Sequence, residues 1–470
     1  MSKKFNITTS FLYKWRYFIG YGTIFILLAG LLFVAGFLIP GELSASEERA
    51  LITSQQLEVT ELWRSVPINA PFHILQHFSL ELFGATILGI KLPSLILGII
   101  TAVSMIFLLR RWFTPGVAVL AAAIAITTGQ FLFVAQQGSA GIMYLFWPTV
   151  LLLLATLVAN RLRYARLWQF LCLTVAALSL YTPLGIYVIL ALASAILLHP
   201  HLRHIVYRLP NGYLAVCTVF SMALLTPLAL TVISDPSYGL RLLGVPSQWP
   251  DLLANLQQLG NKYFGFMSLG STSALLPVFS LSSMLLILYG LYRSIHTSQT
   301  VQSYVVLAWM VLLIPVLVIN PSFTSIIFVP LFLLLASGLE GMLRRWYRLF
   351  PRNPYARVAG LLPLIVLVSS MMMFGLERYS YGYQYAPDIV NNFSKDILLI
   401  PETDKLVVSP DQFELYTAVA SYHDNLEVLP QAPASGGYAV TADAYDPKTI
   451  PSSVVTTGRS DDAARFYLYE

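Results

Sequence analysis

The chain has 470 residues, of which 57% are hydrophobic and only 11% are charged, and its formal net charge is +5. A soluble globular domain averages about 25% charged residues, so this chain has too little polar surface for a water-soluble particle. The composition excludes a soluble enzyme, a nucleic-acid-binding domain and a disordered chain. It indicates a helical protein that crosses a membrane several times.

Eleven apolar runs are long enough to cross about 30 Å of hydrocarbon. They lie near residues 17–40, 87–109, 113–135, 141–159, 167–181, 183–199, 212–234, 273–292, 302–319, 323–342 and 356–376. The first run is longer than the apolar part of a signal peptide, which predicts a retained helix. A tight turn is expected at Pro183, since proline ends a helix. The predicted fold class is an all-α polytopic membrane protein with about 11 transmembrane helices.

Basic residues are concentrated in alternate connecting segments. If the amino terminus lies inside, the inside segments carry 17 of the 28 basic residues, with Glu340 as their only acidic companion. These residues are Lys3, Lys4, Lys14, Arg16, Arg110, Arg111, Arg161, Arg163, Arg166, Arg203, Arg208, Arg293, Arg344, Arg345, Arg348, Arg352 and Arg357. The positive-inside rule therefore predicts a cytoplasmic amino terminus, an extracytoplasmic carboxyl terminus and a location in the cytoplasmic membrane.

Three segments on the predicted outer side are long: the loop 41–84, the loop 235–271 and the tail 380–470. The second loop contains the amphipathic stretch Leu252–Leu256, which is typical of a helix lying on a membrane surface. These segments predict a transmembrane domain over residues 1–379 and a separate outer domain over residues 380–470.

The hydrophobic pattern of the tail differs from that of the rest of the chain. Two short runs, Lys405–Val408 and Ser453–Thr456, have the pattern of strands, and a run with helical spacing, Phe413–Tyr422, lies between them. The tail is therefore predicted to be a small extracytoplasmic α/β domain.

Two glutamates, Glu47 and Glu48, follow the first apolar run closely. A carboxylate at the membrane surface can act as a general base that takes a proton from an attacking hydroxyl. The same residues also fit a solvated helix start, with Ser44 or Ser46 as the N-cap and glutamates favoured by the helix dipole. The pattern alone favours the helix start over the catalytic interpretation.

A polar stripe is formed by His73, His77 and Glu81, which fall on one face if this segment is helical. Imidazoles four residues apart can bind a divalent metal. The ends of the stripe, however, are about 12 Å apart at a 1.5 Å rise per residue, so one ion cannot reach both. We predict no tightly bound metal here and a structural role for the stripe.

One lysine, Lys91, stands near the predicted outer end of the second run. A lysine at this depth can extend its ammonium to the membrane surface. It can equally hold a phosphate group as a point charge. The position alone leaves the two interpretations equal.

These residues resemble motifs of the GT-C superfamily of membrane glycosyltransferases, which use polyprenyl-phosphate-linked sugars. The resemblance is to the protein-mannosyltransferase and aminoarabinose-transferase branch, and it covers roughly residues 17–380. The matching segments are Glu47-Glu48, Asn69-Ala70-Pro71, Phe83-Gly84, Lys91-Leu92-Pro93-Ser94, Arg110-Arg111-Trp112-Phe113, Leu180-Tyr181-Thr182-Pro183, Pro330 to Glu340 and Phe350 to Arg357.

The chain departs from the family pattern at three charged positions. The family usually carries a second acidic residue before the fourth span, whereas the stretch Gln136–Met143 has no carboxylate and no arginine. Asn69 stands where the family has the lysine of its Lys-Pro-Pro-like turn. The arginine ahead of the tenth-span proline is replaced within Ser322–Thr324.

The resemblance implies an inverting glycosyltransferase that moves a hexosyl or pentosyl group from a polyprenyl-phosphate donor to an envelope glycan, lipid or protein on the outer face. It implies Glu47 or Glu48 as the base, and the acidic pair does not distinguish between them. Lys91 is then the contact for the donor phosphate, and the other substrate-binding candidates are Arg49, His73 and Asn69. No cofactor, metal or nucleic acid is expected.

Two other functions fit the sequence. The missing carboxylate in Gln136–Met143 favours a catalytically weakened GT-C scaffold that binds a lipid-linked glycan or assists a partner enzyme. A lipid or polysaccharide transporter is a third possibility, but it predicts several charged residues within the spans, and the apolar runs contain almost none.

Overall fold

The structure is a computed structural model that describes residues 11–37, 43–58, 66–160, 164–207, 211–265, 277–349, 355, 359–385, 397, 400–423, 426–433, 436–456 and 464–469. Several sequence predictions fall partly outside these residues. They include the basic residues Lys3, Lys4, Arg161, Arg163, Arg208, Arg352 and Arg357, residues 59–65 within the first outer loop, the end of the second outer loop (266–271) and most of the segment 350–357.

Helices dominate the chain up to residue 385. The first half contains α1 (Phe11–Phe37), α2 (Ala45–Gln55), α3 (Ala70–Phe83), α4 (Ile87–Trp112), α5 (Pro115–Thr127), α6 (Gly129–Gln136), α7 (Met143–Ala159), α8 (Ala165–Ser179), α9 (Gly185–Leu198) and α10 (Pro200–Tyr207). The second half contains α11 (Asn211–Ser234), α12 (Pro236–Leu242), α13 (Leu252–Phe264), α14 (Leu281–His296), α15 (Val301–Ile319), α16 (Phe328–Leu349) and α17 (Leu361–Tyr385).

Among the described residues, six helices are long and apolar enough to cross a membrane, or up to eight if each of two bent pairs is one span. The bent pairs are α5 with α6, at 60°, and α9 with α10, at 94°. Each apolar run in the sequence coincides with at least one of these or the shorter helices, so the chain is a multi-pass membrane protein. The number of eleven spans stays a prediction.

The break expected at Pro183 is confirmed. Helix α8 ends at Ser179 and α9 begins at Gly185, and Leu184 between them adopts the left-handed conformation with φ 63°. Its N–H donates to the carbonyl oxygen of Leu242 at 2.8 Å, which ties the turn to the end of α12.

Helices α14 and α16 are packed backbone against backbone. A methyl group built on Gly290 would lie 1.9 Å from the carbonyl oxygen of Leu334, and one on Gly338 would lie 2.1 Å from that of Leu286. Small residues allow this approach between membrane helices, where packing rather than hydrophobic burial drives association. Any side chain larger than hydrogen at Gly290 or Gly338 must push the two helices apart.

The described part of the tail contains a five-stranded sheet and one short helix, α18 (Phe413–Ala420). The strands are β1 (Lys405–Val407), β2 (Glu427–Leu429), β3 (Tyr438–Thr441), β4 (Ser453–Thr456) and β5 (Ala464–Tyr469). Their order is β2-β1-β3-β5-β4, with β1 parallel to both neighbours and β5 antiparallel to both of its own. The predicted fold class, a helical membrane protein with a small α/β tail, is confirmed. The boundary at residue 379/380 stays a prediction.

The small α/β domain packs on helices α2 and α3. Leu415 and Val419 of α18 share an apolar cluster with Leu51 of α2 and Leu80 of α3, and all four side chains are buried. This contact places the sheet domain at the end of the helical bundle where α2 and α3 lie, called here the α2/α3 end.

We expect this end to face outward, and cysteine labelling tests the orientation. In a variant without Cys172 and Cys217, a cysteine at Ile450, which is 91% exposed, should react in intact cells with a maleimide that cannot cross membranes. A cysteine at the exposed position Arg345 should react only after lysis, because the positive-inside rule places it in the cytoplasm. The opposite pattern would contradict the predicted topology.

Candidate functional site

The start of α2 holds the carboxylate of Glu47 in a fixed position. The backbone N–H and the hydroxyl of Ser44 donate to Glu47 Oε2 at 2.7 and 2.9 Å, so Glu47 closes the first turn of its own helix. The N–H of Gly138 donates to Oε1 at 2.7 Å. The predicted helix start at Ser44 is present. The Glu47 side chain is 0% exposed, so its carboxylate is deeply buried.

A buried lysine faces this carboxylate. Lys91, near the start of α4, is 1% exposed, and its Nζ lies 3.6 Å from Glu47 Oε1. The ammonium also donates to Gln136 Oε1 at 3.0 Å and to the carbonyl oxygen of Gly36 at 3.5 Å. An ammonium taken out of water requires such partners, because an unpaired buried charge costs several kcal/mol. Glu47 and Lys91 thus form a buried ion pair that joins α1, α2, α4 and α6.

The turn after α6 completes this cluster. It is the stretch where the sequence lacks the carboxylate of the GT-C pattern, and it supplies a neutral acceptor from Gln136 and a backbone donor from Gly138 instead. A Cβ on Gly138 would lie 2.7 Å from Ile90 Cγ2 and 2.9 Å from the Ile90 carbonyl oxygen, so only glycine fits. The close approach of this turn to α4 brings the Gly138 N–H to Glu47.

A chain of buried polar side chains continues from this turn to α2 and α3. Gln76 Nε2 donates to the carbonyl oxygens of Gly138 and Ile90 at 2.9 and 3.0 Å. Ser54 Oγ donates to Gln76 Oε1 at 2.8 Å and lies 2.8 Å from His73 Nδ1. The sequence predictions did not include Ser54, Gln76, Gln136 and Gly138 among the site residues, because uncharged residues give no charge signal.

His73 lies at the far end of this chain of hydrogen bonds, and its pKa is shifted by burial. Burial lowers the pKa of His73 from 6.5 to about 4, and a hydrogen bond to the Ala50 backbone opposes the shift. The unfolded chain therefore binds a proton between pH 6.5 and 4 that the folded protein does not, so the free energy of unfolding falls as the pH drops through this window. The full effect is about 3 kcal/mol.

This shift predicts an acid-sensitive thermal stability. The melting temperature of the detergent-purified protein should fall between pH 6.5 and pH 4.5, and His73→Asn should remove much of that fall, since asparagine does not titrate. The variant His77→Asn is the matched control on the same helix. An unchanged pH dependence in His73→Asn would contradict the assignment.

The remaining predicted site residues lie apart from the ion pair. Glu48 is half-buried and Arg49 is exposed on the following positions of α2. Asn69 is buried in the left-handed conformation, with φ 63°, and its N–H donates to the carbonyl oxygen of Tyr181 at 2.9 Å. Asn69 thus holds the start of α3 against the turn that contains Pro183.

The two histidines of the polar stripe on α3 contact different groups. His73 binds Ser54, whereas His77 Nε2 lies 3.3 Å from Glu81 Oε1 and His77 Nδ1 lies 2.9 Å from the carbonyl oxygen of Ser54. Within the part of the chain that the structure describes, no three His, Cys, Asp or Glu side chains are grouped to hold a metal ion.

A polar cavity of about 580 Å³ opens beside His73. Its walls come from α2, the segment before α3, the end of α11 and α12, and the lining residues are Thr53, Val66, Pro67, Ile68, His73, Thr231, Ser234, Asp235, Tyr238 and Arg241. Arg241 Nη2 pairs with Asp235 Oδ2 at 3.2 Å. Of the predicted site residues, His73 lines this cavity, and Glu47 is joined to it through the Gly138, Gln76 and Ser54 chain.

The comparisons with known proteins agree with this architecture. Residues 67–229 match the family model of dolichyl-phosphate-mannose-protein mannosyltransferases. This match includes α3, α4, the turn after α6 and the whole of the Pro183 turn. No curated protein matches the chain by sequence.

Solved structures match nearly the whole chain. The structure of ArnT from Cupriavidus metallidurans in the apo state has a TM-score of 0.54 and 13% identity, over 96% of this chain and 97% of that one. The same protein bound to undecaprenyl phosphate gives a TM-score of 0.53. The Archaeoglobus fulgidus oligosaccharyltransferase, tethered to an acceptor peptide, has a TM-score of 0.54 and 15% identity, over 87% of this chain and 64% of that one.

These matches confirm the resemblance to the GT-C glycosyltransferases that the sequence motifs indicated. The identities of 13–15% establish a shared fold.

Proposed function

We propose that this protein transfers a sugar from a polyprenyl-phosphate donor to an envelope glycan, lipid or protein at the outward-facing α2/α3 end. The fold and the family model support a glycosyltransferase, and the similar ArnT structure holds undecaprenyl phosphate. The observation that carries the proposal is the Glu47–Lys91 cluster connected to the 580 Å³ polar cavity at that end.

The two glutamates take different roles in this proposal. Glu47 accepts from two groups of Ser44 and from Gly138, and it faces Lys91, so neither of its oxygens is available to a substrate hydroxyl. Glu48 is half-buried and lies at the next position of α2. We therefore assign the general base to Glu48 and a positioning role to Glu47.

The proposed reaction is a single displacement. Glu48 accepts the proton of the acceptor hydroxyl while the oxygen of that hydroxyl attacks the anomeric carbon of the donor sugar. The bond between that carbon and the phosphate oxygen breaks, polyprenyl phosphate leaves, and the configuration at the carbon inverts. A cation near the leaving phosphate stabilises the charge that develops there.

Two cations are candidates for the donor phosphate. Lys91 is the contact that the family resemblance implies, but its buried ammonium already binds Glu47 and Gln136, so a phosphate reaches it only by displacing one of them. Arg49 is exposed on α2, and its planar guanidinium binds phosphate with two parallel hydrogen bonds. In this proposal Arg49 contacts the donor phosphate directly, and the buried Lys91 contributes its positive charge without touching the phosphate.

The cavity fits a hydroxyl-rich group. Its ionic side chains, Asp235 and Arg241, balance each other, and the remaining polar walls include Thr53, Thr231 and Ser234. A neutral wall with both donors and acceptors suits sugar hydroxyls better than a bare phosphate. His73 and Asn69 contribute by shaping the wall and the adjacent turn.

A transfer assay tests this function. Purified protein in liposomes, supplied with a radiolabelled polyprenyl-phosphate sugar and an envelope extract, should release polyprenyl phosphate and label an acceptor. Failure to release polyprenyl phosphate from mannosyl, glucosyl and aminoarabinosyl donors would contradict the enzyme assignment.

One observation favours a second function, a scaffold that binds the lipid-linked glycan without transferring it. The positive charge of Lys91 is matched by Glu47, and residues 136–143 provide no second carboxylate. The scaffold predicts saturable donor binding with no turnover. Binding of the donor without release of polyprenyl phosphate would therefore support this alternative.

A further inference from the structure

A second cavity, of about 250 Å³, lies at the opposite end of the bundle. Trp112 in its wall is 21 residues along α4 from Lys91, which corresponds to about 32 Å at a rise of 1.5 Å per residue. The other walls come from the end of α14, the start of α15 and the middle of α16. The charge pattern predicts that this end faces the cytoplasm. We call it the Arg293 cavity.

Three charged side chains form the polar wall of the Arg293 cavity. Arg293 Nη2 and Arg344 Nη2 each donate to one oxygen of Glu340, both at 3.0 Å. Arg293 Nη1 also donates to the Ser337 carbonyl oxygen at 2.6 Å. Glu340 is 4% exposed and accepts from the Thr114 N–H at 3.4 Å, so this carboxylate is fully used in holding the helices.

The two arginines carry more positive charge than Glu340 neutralises, and more N–H donors than its carboxylate can accept. Each guanidinium has five N–H groups, and Glu340 occupies one nitrogen of each. The Arg344 side chain is 57% exposed. The sequence of α4, α14, α15 and α16 contains six arginines and one acidic residue, Glu340. The six are Arg110, Arg111, Arg293, Arg344, Arg345 and Arg348. The Arg293 cavity therefore has a positive field and unused directional donors.

The other walls of the Arg293 cavity are of two kinds. Hydroxyl groups of Thr297, Thr300 and Ser303 belong to the lining and are bonded to one another within 3.2 Å. Apolar side chains of Phe113, Val306, Leu333 and Leu334 also line the cavity. A lining that combines cationic, hydroxyl and apolar groups fits a molecule that is anionic in one part and hydrocarbon in another.

We infer that the Arg293 cavity binds a phosphate group, with Arg344 as its principal contact. Guanidinium pairs with phosphate in a planar, two-bond geometry, and a basic pocket between membrane helices on the cytoplasmic side is suited to a lipid phosphate. The same chemistry accepts free inorganic phosphate. This inference does not depend on sugar transfer at the α2/α3 end, which lies across the membrane.

Binding of defined phosphates to the full-length protein tests the inference. Native mass spectrometry would follow phosphatidic acid and phosphatidylcholine added to the detergent-purified protein, with inorganic phosphate as competitor. We expect saturable binding of phosphatidic acid, weakened at least tenfold in Arg344→Gln. The matched control is Arg345→Gln, which removes the same charge from the neighbouring residue outside the cavity and should change the affinity less than threefold.

The competition separates the two sources of phosphate. If millimolar inorganic phosphate displaces the lipid, the site takes the free ion as well, and if it does not, the site is specific for the lipid head group. Arg344→Lys, which keeps the charge but loses the planar fork, should bind with intermediate affinity. Equal weakening in Arg344→Gln and Arg345→Gln would overturn the inference, as would equal binding of phosphatidylcholine and phosphatidic acid.

Discussion

Glu47→Gln is expected to destabilise the protein by about 3–5 kcal/mol, because it leaves the ammonium of Lys91 buried without a counter-charge. Lys91 is 1% exposed, so its ammonium has almost no contact with water. Glutamine keeps the shape of the side chain, so the loss measures the charge and the hydrogen bonds that only a carboxylate accepts, rather than packing. Thermal denaturation in detergent, followed by intrinsic fluorescence, would show the effect.

A second substitution separates charge from shape in this cluster. The double variant Glu47→Gln, Lys91→Met removes both charges and should recover a large part of the lost stability, since replacing a buried ion pair by neutral groups is often close to neutral. Glu81→Gln is the control, because its carboxylate is 55% exposed. A wild-type melting temperature for Glu47→Gln would show that the ion pair does not hold the helices.

Glu48→Gln is expected to lower sugar transfer by about 100- to 10,000-fold while the protein melts at the wild-type temperature. Removal of a general base typically has an effect of this size. Glu48 is half-buried, whereas Glu47 is 0% exposed, so the loss of the Glu48 charge should disturb folding little. The rate of polyprenyl-phosphate release, measured at saturating donor, is the suitable readout.

The two glutamate variants together distinguish the roles. Glu47→Gln should lose activity and stability in parallel, whereas Glu48→Gln should lose activity alone. Full transfer by Glu48→Gln would remove the base assignment from this residue. Arg49→Gln should raise the donor concentration needed for half-maximal rate, in keeping with a phosphate contact.

The sequence predicted the fold better than it predicted the site, and the reason is physical. Apolar runs and the break at Pro183 mark the helices directly. A chain that crosses lipid must hydrogen-bond its own backbone polar groups, and a helix does this within each run. Strands β1 and β4 and the helix of the tail were visible from local alternation and spacing, whereas β2, β3 and β5 were not predicted. Helix α2 was visible as a helix start from Ser44 and the glutamates that follow it.

The arrangement of the site depends on contacts that no local pattern records. The meeting of Glu47 with Lys91 joins residues 44 positions apart, and Gly138 is 91 positions from Glu47. Gln136 and Gly138 looked like a loss of charge in the sequence, whereas in the structure they supply the acceptor and donor that complete the cluster. Such roles follow from the tertiary path of the turn after α6.

The glycine contact between α14 and α16 also determines which parts of the bundle can shift when a bulky substrate enters. The span that includes α16 is 83% buried, and its backbone packs directly against that of α14. This helix pair should therefore stay in place. Helix α11 is only 22% buried over its span, and its last turn supplies Thr231 and Ser234 to the wall of the 580 Å³ cavity. We therefore expect the cavity to widen when α11 moves outward toward lipid, while helices α14 and α16 do not move.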